Sequence, residues 1–312
     1  MTALVADAYC LEHDTGHGHP ECPERFTSVM NGFEQAGLLA KLLQIEPRVV
    51  TDADLRLAHD ADYLRQAEHD ILSGLPQLST GDTAICEQSW DAAKRAAGCA
   101  LAAVDAVISG KAPNAFCAVR PPGHHASANR GMGFCVVNNV ALAARHSQQR
   151  HGVGRVLIVD WDVHHGNGTQ DIFYEDGSVF FCSTHQWPLY PGTGRISETG
   201  AGPGKGTTLN GPLPAGSGRA EIFAFYENQL APAMEQFRPE LVLISAGFDS
   251  RVNDPLGDFR LTDTDFADLT KLIRSIADKY AQGRLVSLLE GGYNLSGLAK
   301  AATAHVEALG ES

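Results

Sequence analysis

Positive charge is scarce in this chain. Its 312 residues include 24 Lys and Arg against 37 Asp and Glu, a formal net charge of -13. Binding by phosphate neutralisation needs a basic face, so no nucleic-acid partner is expected. No apolar run approaches the roughly 18 residues that would cross a bilayer. The opening residues MTALVADAYCLEHDTGHGHPE lack the basic segment of a secretory leader. A membrane association is not expected either. Cysteines are present without a framework: Cys10, Cys22, Cys86, Cys99, Cys117, Cys135 and Cys182 are odd in number and form no CxxC pair. Free thiols in a reducing, cytoplasmic compartment are the expectation. No internal repeat and no linker stand out, so residues 1–312 read as one domain.

An apolar fraction of 44% with 20% charged residues fits an ordinary globular protein. Five continuous apolar segments, 115–119, 155–163, 179–184, 241–247 and 285–289, suit strands covered on both faces of a parallel sheet. Before, between or after them, 87–108, 138–149, 219–237, 265–280 and 297–309 have helical spacing. The alternation predicts a doubly wound α/β fold, a central parallel sheet with helices on both faces. The Gly- and Pro-rich stretch 191–218 reads as a long functional loop. Its GAGPGKGTT is no phosphate loop, because Thr199 and Gly206 stand where that pattern needs Gly and Ser or Thr.

Chemistry concentrates where predicted strands end. Val159-Asp160-Trp161-Asp162-Val163-His164-His165-Gly166-Asn167 runs from an apolar strand into alternating carboxylates and imidazole. On an extended chain Asp160, Asp162 and His164 share a face, at the sheet end where α/β ligands bind. Converging acids need a compensating cation; solvated loop charges or a helix cap are the plain alternative. Asp249, closing the segment 241–247, is a natural third ligand. Two carboxylates, one imidazole and an open position describe a catalytic metal site, for zinc, iron(II), cobalt or manganese. Arg120-Pro121-Pro122-Gly123-His124-His125 places two imidazoles after another strand, suited to general acid and base work if oriented by partners such as Asp160 and Asn167. Glu290-Gly291-Gly292-Tyr293 offers a phenol able to donate to an oxyanion.

Taken in order, RPPGHHA, GFCVVNNVA, VDWDVHHGNGTQ, the Pro-Gly-Thr-Gly loop, SAGFDS with DPLG, and LEGGYN closely resemble the zinc-dependent histone deacetylase superfamily. The likeness is to class II-type and bacterial deacetylase-like members, and acetylpolyamine amidohydrolases share the superfamily. It spans about His13 to Leu309 and implies the arginase/deacetylase fold, with long loops forming a narrow tunnel to zinc. It also implies one catalytic Zn2+ on Asp162, His164 and Asp249. His125 would be the general base and His124 the electrostatic or acid partner, backed by Asn167 and Asp160 respectively. Class I relatives carry Asp where Asn167 stands. Tyr293 resembles the carbonyl-polarising Tyr, which class IIa enzymes of weak activity replace by His.

By the same resemblance Gly133, Phe134 and Tyr190 would wall the tunnel, with Leu256 and Gly292 at the substrate. Thr83 would accept a hydrogen bond from the substrate backbone. Asp160, Asp162, His164, Ser183 and Thr184 would hold structural K+, one or two ions, and Arg25 would line an internal acetate channel. The implied reaction removes acetyl groups from the ε-amine of lysine in proteins or peptides. Leu256 stands where polyamine-selective members carry Glu in that region, so an acetylated small amine is the second substrate class. A catalytically silent acyl-ligand-binding module is the alternative of a different kind. Oligomeric state is left open.

Overall fold

The structure is a computed structural model and describes residues 1–311. Among these, eight strands make one sheet: β1 (Ala3–Ala6), β2 (Leu43–Ile45), β3 (Asn114–Ala118), β4 (Val156–Asp160), β5 (Val179–Gln186), β6 (Thr208–Leu213), β7 (Leu241–Ala246) and β8 (Leu285–Leu289). Their order is β2-β1-β3-β8-β7-β4-β5-β6, and every neighbouring pair is parallel. Around the sheet lie α1 (Glu24–Gln35), α2 (Asp52–Leu55), α3 (Ala61–Leu72), α4 (Ser89–Ile108) and α5 (Asn139–His151). They are followed by α6 (Asn167–Phe173), α7 (Arg219–Phe225), α8 (Ala231–Phe237), α9 (Asp263–Tyr280) and α10 (Leu295–Gly310). No helix among the described residues is long and apolar enough to cross a membrane.

Strands β3, β4, β7 and β8 are buried along their whole length, as their unbroken apolar runs require. The alanine-rich α4 packs against β1, β3, β8 and α5, its small side chains allowing close approach, while α10 packs on α1 and α9. Phe116, Phe181, Phe248 and Phe266 are at most 1% exposed. Each stabilises the fold by roughly 1.5–3 kcal/mol relative to exposure. Local signals set the helix ends. Asn138 Oδ1 accepts from Ala141 N at 2.9 Å to start α5, and Gly152, at φ 69°, ends it. At α9, Thr262 and Asp265 cap each other's backbone N–H at 3.3 and 2.8 Å.

The five predicted strands and the five helical segments are present, most with shifted ends but β8 without. The stretch 219–237 is α7 and α8 joined by a π-helical turn at Tyr226–Leu230, just before Pro232. The loop 191–218 contains the edge strand β6, whose Asn210, Gly211 and Pro212 hide its strand character. The predicted strand 155–163 stops at Asp160. There Asp160 Oδ1 accepts from Asp162 N at 3.1 Å and Asp162 Oδ1 from His164 N at 2.9 Å. Each Asp bonds the backbone two residues on, curling the chain out of the sheet.

Candidate active site

Sheet order brings β3, β8, β7 and β4 side by side at the centre. Four loops leaving their carboxyl ends therefore meet: Arg120–His125, Glu290–Tyr293, Phe248–Asp249 and Trp161–Asn167. Residues separated by up to 173 positions in the chain converge on one crevice, as open parallel sheets favour.

At its floor the ligand atoms of Asp162, His164 and Asp249 lie within 4.8 Å of one another. Both carboxylates are fully buried and His164 is 8% exposed. His164 Nδ1 is 3.0 Å from Asp162 Oδ1 and 3.2 Å from Asp249 Oδ2. Backbone donors fix the remaining oxygens: Gly291 N reaches Asp162 Oδ2 and Val163 N reaches Asp249 Oδ1, both at 2.8 Å. Asp249 Oδ2 has no hydrogen-bond partner although buried. A Cβ on Gly291 would sit 2.1 Å from that oxygen and 2.5 Å from Asp162 Oδ2. Glycine there keeps clear the space both carboxylates face. Burial opposes a proton on His164, yet its bond to Asp162 and the nearby Asp249 carboxylate raise its pKa to about 10. Burial and the neighbouring Asp162 push Asp249 up. An orphaned oxygen, two repelling acids and an N/O donor set fit a divalent metal such as zinc.

Beside this cluster stand the two adjacent imidazoles, ring centroids 4.0 Å apart. His124 Nδ1 meets Asp160 Oδ2 at 2.9 Å, and His125 Nδ1 meets Asn167 Oδ1 at 2.7 Å. Burial disfavours the charged form of both. For His124 the carboxylates of Asp160, Asp162 and Glu290 outweigh that cost and hold its pKa well above the usual value. For His125 burial acts together with the charges of His124 and His164, holding its pKa well below. The surroundings thus favour the protonated form of His124 and the neutral form of His125.

Above them opens a pocket of about 290 Å³ lined by Asp82, His125, Gly133, Phe134, His164, Leu189, Tyr190, Leu256 and Tyr293. Phe134 meets Tyr293 edge to face at 5.9 Å, and Tyr190 meets His125 at 5.1 Å. Gly133 has φ 57° and packs directly on the His125 ring: a Cβ would come within 2.3 Å of it. Its N–H donates to Asp82 Oδ1 at 2.7 Å, and Tyr190 OH donates to the same oxygen at 3.3 Å. Burial raises the Tyr293 hydroxyl pKa well above its usual value, so it remains a donor.

Two residues expected at the substrate lie elsewhere. Thr83 is buried, donating through Oγ1 to Cys135 O at 3.3 Å, and Asp82 beside it is the residue on the pocket wall. The antiparallel bridge Gln77–Ala84 explains this, since neighbours on an extended segment face opposite ways. Gly292, at φ 120°, lies behind the wall against Phe248 and Leu298. Its carbonyl accepts from Arg25 Nε at 2.7 Å. Arg25 is buried under the Tyr293 ring, 5.0 Å from its centroid, and also bonds Glu290 O and, at 3.0 Å, Glu21 Oε1. Glu21 is shared with Arg120 at 2.6 and 2.8 Å, and its pKa falls to about 2 because the two guanidiniums outweigh burial. Ser183 Oγ meets His185 Nδ1 at 3.0 Å and Thr184 Oγ1 meets Tyr226 OH at 2.8 Å, both within β5.

Sequence reading missed three supporting acids. Glu290 Oε2 accepts from Gly123 N at 2.7 Å and His124 N at 3.2 Å. Asp254 Oδ2 accepts from Tyr293 N at 2.7 Å and Asn294 N at 3.1 Å. Asp82 is the third. Glu290 carried the same signal as Asp249, an acid directly after a buried strand; Asp254 and Asp82 sit in loops with no comparable pattern.

Comparison with known proteins gives matches along almost the whole chain. The histone deacetylase domain model matches residues 19–309. The chain is 40% identical to histone deacetylase 14, chloroplastic, of Arabidopsis thaliana, over 98% of this chain and 77% of that protein. It is 40% identical to the polyamine deacetylase HDAC10 of Homo sapiens over 93% of this chain, which spans 45% of that longer protein. The crystal structure of the HDA15 HD domain superposes with a TM-score of 0.92 at 36% identity, covering 99% of this chain and 91% of that one.

Proposed function

The chain belongs to the histone deacetylase family and has its arginase/deacetylase fold, and from that premise we propose that it is a zinc-dependent amidohydrolase acting on the acetylated ε-amine of lysine in proteins or peptides. The observation that carries the proposal is the buried Asp162–His164–Asp249 cluster at the floor of a pocket walled by Phe134, Tyr190 and Leu256. Asp162, His164 and Asp249 would hold the zinc ion, which would supply Lewis-acid polarisation of the acetyl carbonyl and of water.

The rest falls to the protein's own groups. Phe134, Tyr190 and Leu256 grip the methylene chain of the substrate and exclude water. Neutral His125, oriented by Asn167, takes the proton of the attacking water at Nε2. Tyr293 donates to the oxygen that becomes negative in the tetrahedral state. Protonated His124, held by Asp160, stabilises that charge and can supply a proton toward the departing amine. Asp82 replaces Thr83 as the acceptor facing a substrate backbone at the mouth. Arg25 is assigned to the acetate path beneath Tyr293, and structural potassium to Asp160, Asp162, His164, Ser183 and Thr184. The pairing of Asp160 with Ser183 across β4 and β5 supports that last placement. All seven cysteines are free, which supports a reducing, cytoplasmic setting.

One observation keeps a second substrate class in view: 40% identity to a polyamine deacetylase over nearly the whole chain. Leu256 in the wall leaves no carboxylate at that position to receive a polyamine's distant ammonium, which favours lysine. The test is a panel of acetyl-lysine peptides, acetylspermidine and acetylputrescine, run before and after chelation and zinc restoration. Zinc-restored turnover greatest on the peptides is expected. Preference for the polyamines would reverse the substrate assignment, and binding without turnover would leave only an acyl-ligand-binding module.

A further inference from the structure

A second cluster of metal-ligating side chains lies away from the pocket. Asp105 on α4 and His146 and His151 on α5 place their ligand atoms within 4.8 Å of one another. His146 Nε2 is 2.7 Å and His151 Nε2 2.6 Å from the same atom, Asp105 Oδ1. Residues five apart on a regular helix point about 140° from each other, so two such imidazoles do not share a face by spacing alone. They meet here because His146 faces α4, whereas His151 is the last residue before the left-handed turn at Gly152 and folds back over the helix end. Their rings meet edge to face, centroids 5.4 Å apart. The His146 side chain is 3% exposed, which fixes it by packing, while those of His151 and Asp105 are 23% and 42% exposed, which leaves a path from solvent.

We propose that Asp105, His146 and His151 form a surface site for a borderline divalent transition metal such as zinc, joining α4 to α5. Two imidazole nitrogens and one carboxylate are a donor set for zinc, cobalt, nickel or copper, whereas calcium and magnesium prefer oxygen alone. The hydrogen bonds now drawn between these groups hold the ligand atoms together, and a metal ion would displace the two imidazole protons. Three protein ligands on one side leave the remaining positions to water. His146 lies about 10 Å and His151 about 18 Å along α5 from Asn139, and none of the three residues lines the pocket, so the site stands apart from the amide chemistry.

The test counts zinc per full-length chain at equilibrium with micromolar Zn2+, in the wild type and in His151→Ala and Asp105→Asn. The wild type is expected to hold two zinc ions and each variant one, with variant turnover within twofold of wild type. Thermal unfolding should rise with added Zn2+ in the wild type more than in either variant. A wild type holding one ion that both variants keep overturns the proposal, as does a second ion that both variants keep. One ion in the wild type and none in the variants would uphold this site and instead sink the assignment of zinc to Asp162, His164 and Asp249.

Discussion

Replacing Gly133 by alanine should disable the enzyme by moving a neighbour rather than by removing a reactive group. The new Cβ would lie 2.3 Å from Cδ2, 2.7 Å from Cγ and 3.0 Å from Cβ of His125. Ordinary contact begins near 3.4 Å, so the ring or the loop must retreat by about 1 Å. The His125–Asn167 hydrogen bond, 2.7 Å long, has no slack for such a movement. Misplacing a catalytic group by about 1 Å can cost on the order of 100-fold in rate. That corresponds to about 2.7 kcal/mol of lost transition-state stabilisation. Alanine at φ 57° adds roughly 1–2 kcal/mol of backbone cost to the folded state. Gly192, at φ 82° with nothing within 4 Å of its would-be Cβ, provides the control. Its alanine variant bears the backbone cost without touching a ring. The assay is kcat/KM on an acetyl-lysine peptide, with bound zinc measured on the same samples. Gly133→Ala within threefold of wild type, or an equal loss in Gly192→Ala, would refute the reasoning.

Tyr293→Phe should lower kcat by roughly 100- to 1,000-fold, the cost of one oxyanion donor, while zinc content and KM stay close to wild type; near-normal turnover would remove the phenol from the mechanism. Asn167→Asp sets a carboxylate against His125, whose pKa burial and the charges of His124 and His164 now hold low. An adjacent negative charge favours the imidazolium and raises that pKa. The acid limb of the pH profile of kcat/KM should therefore move to higher pH, with activity lost first at low pH; an unmoved limb would reject His125 as the base.

What was legible in the sequence followed from burial. Strands covered on both faces must be apolar throughout, so LVSLL was readable as β8 to the residue. Polar side chains beyond the ends of such strands then stood out against them, as Asp162, His164 and Asp249 did, and the fold brings those three together. Strands that owe their form to pairing were invisible: β1 is ALVA, β2 is LQI and β6 is TLNGPL, short or bearing Gly and Pro. The exchange of Thr83 for Asp82 turned on the register of a small hairpin, which no spacing encodes. Asp105, His146 and His151 belong to two helices whose packing alone brings them together. Likewise Glu290 is a support whose partners, Gly123 N and His124 N, lie on a segment more than 160 residues earlier.

That grip of Glu290 reaches beyond its hydrogen bonds. The histidine loop leaves β3 and the tyrosine loop leaves β8, and these strands are paired directly, Cys117 against Leu288. The spacing between His125 and Tyr293, the proposed proton acceptor and oxyanion donor, is thereby written into strand alignment and riveted by one carboxylate. On the proposed reading, adaptation to bulkier acyl guests would come from the opposite jamb, where one 3.3 Å hydrogen bond ties the Tyr190 hydroxyl to Asp82.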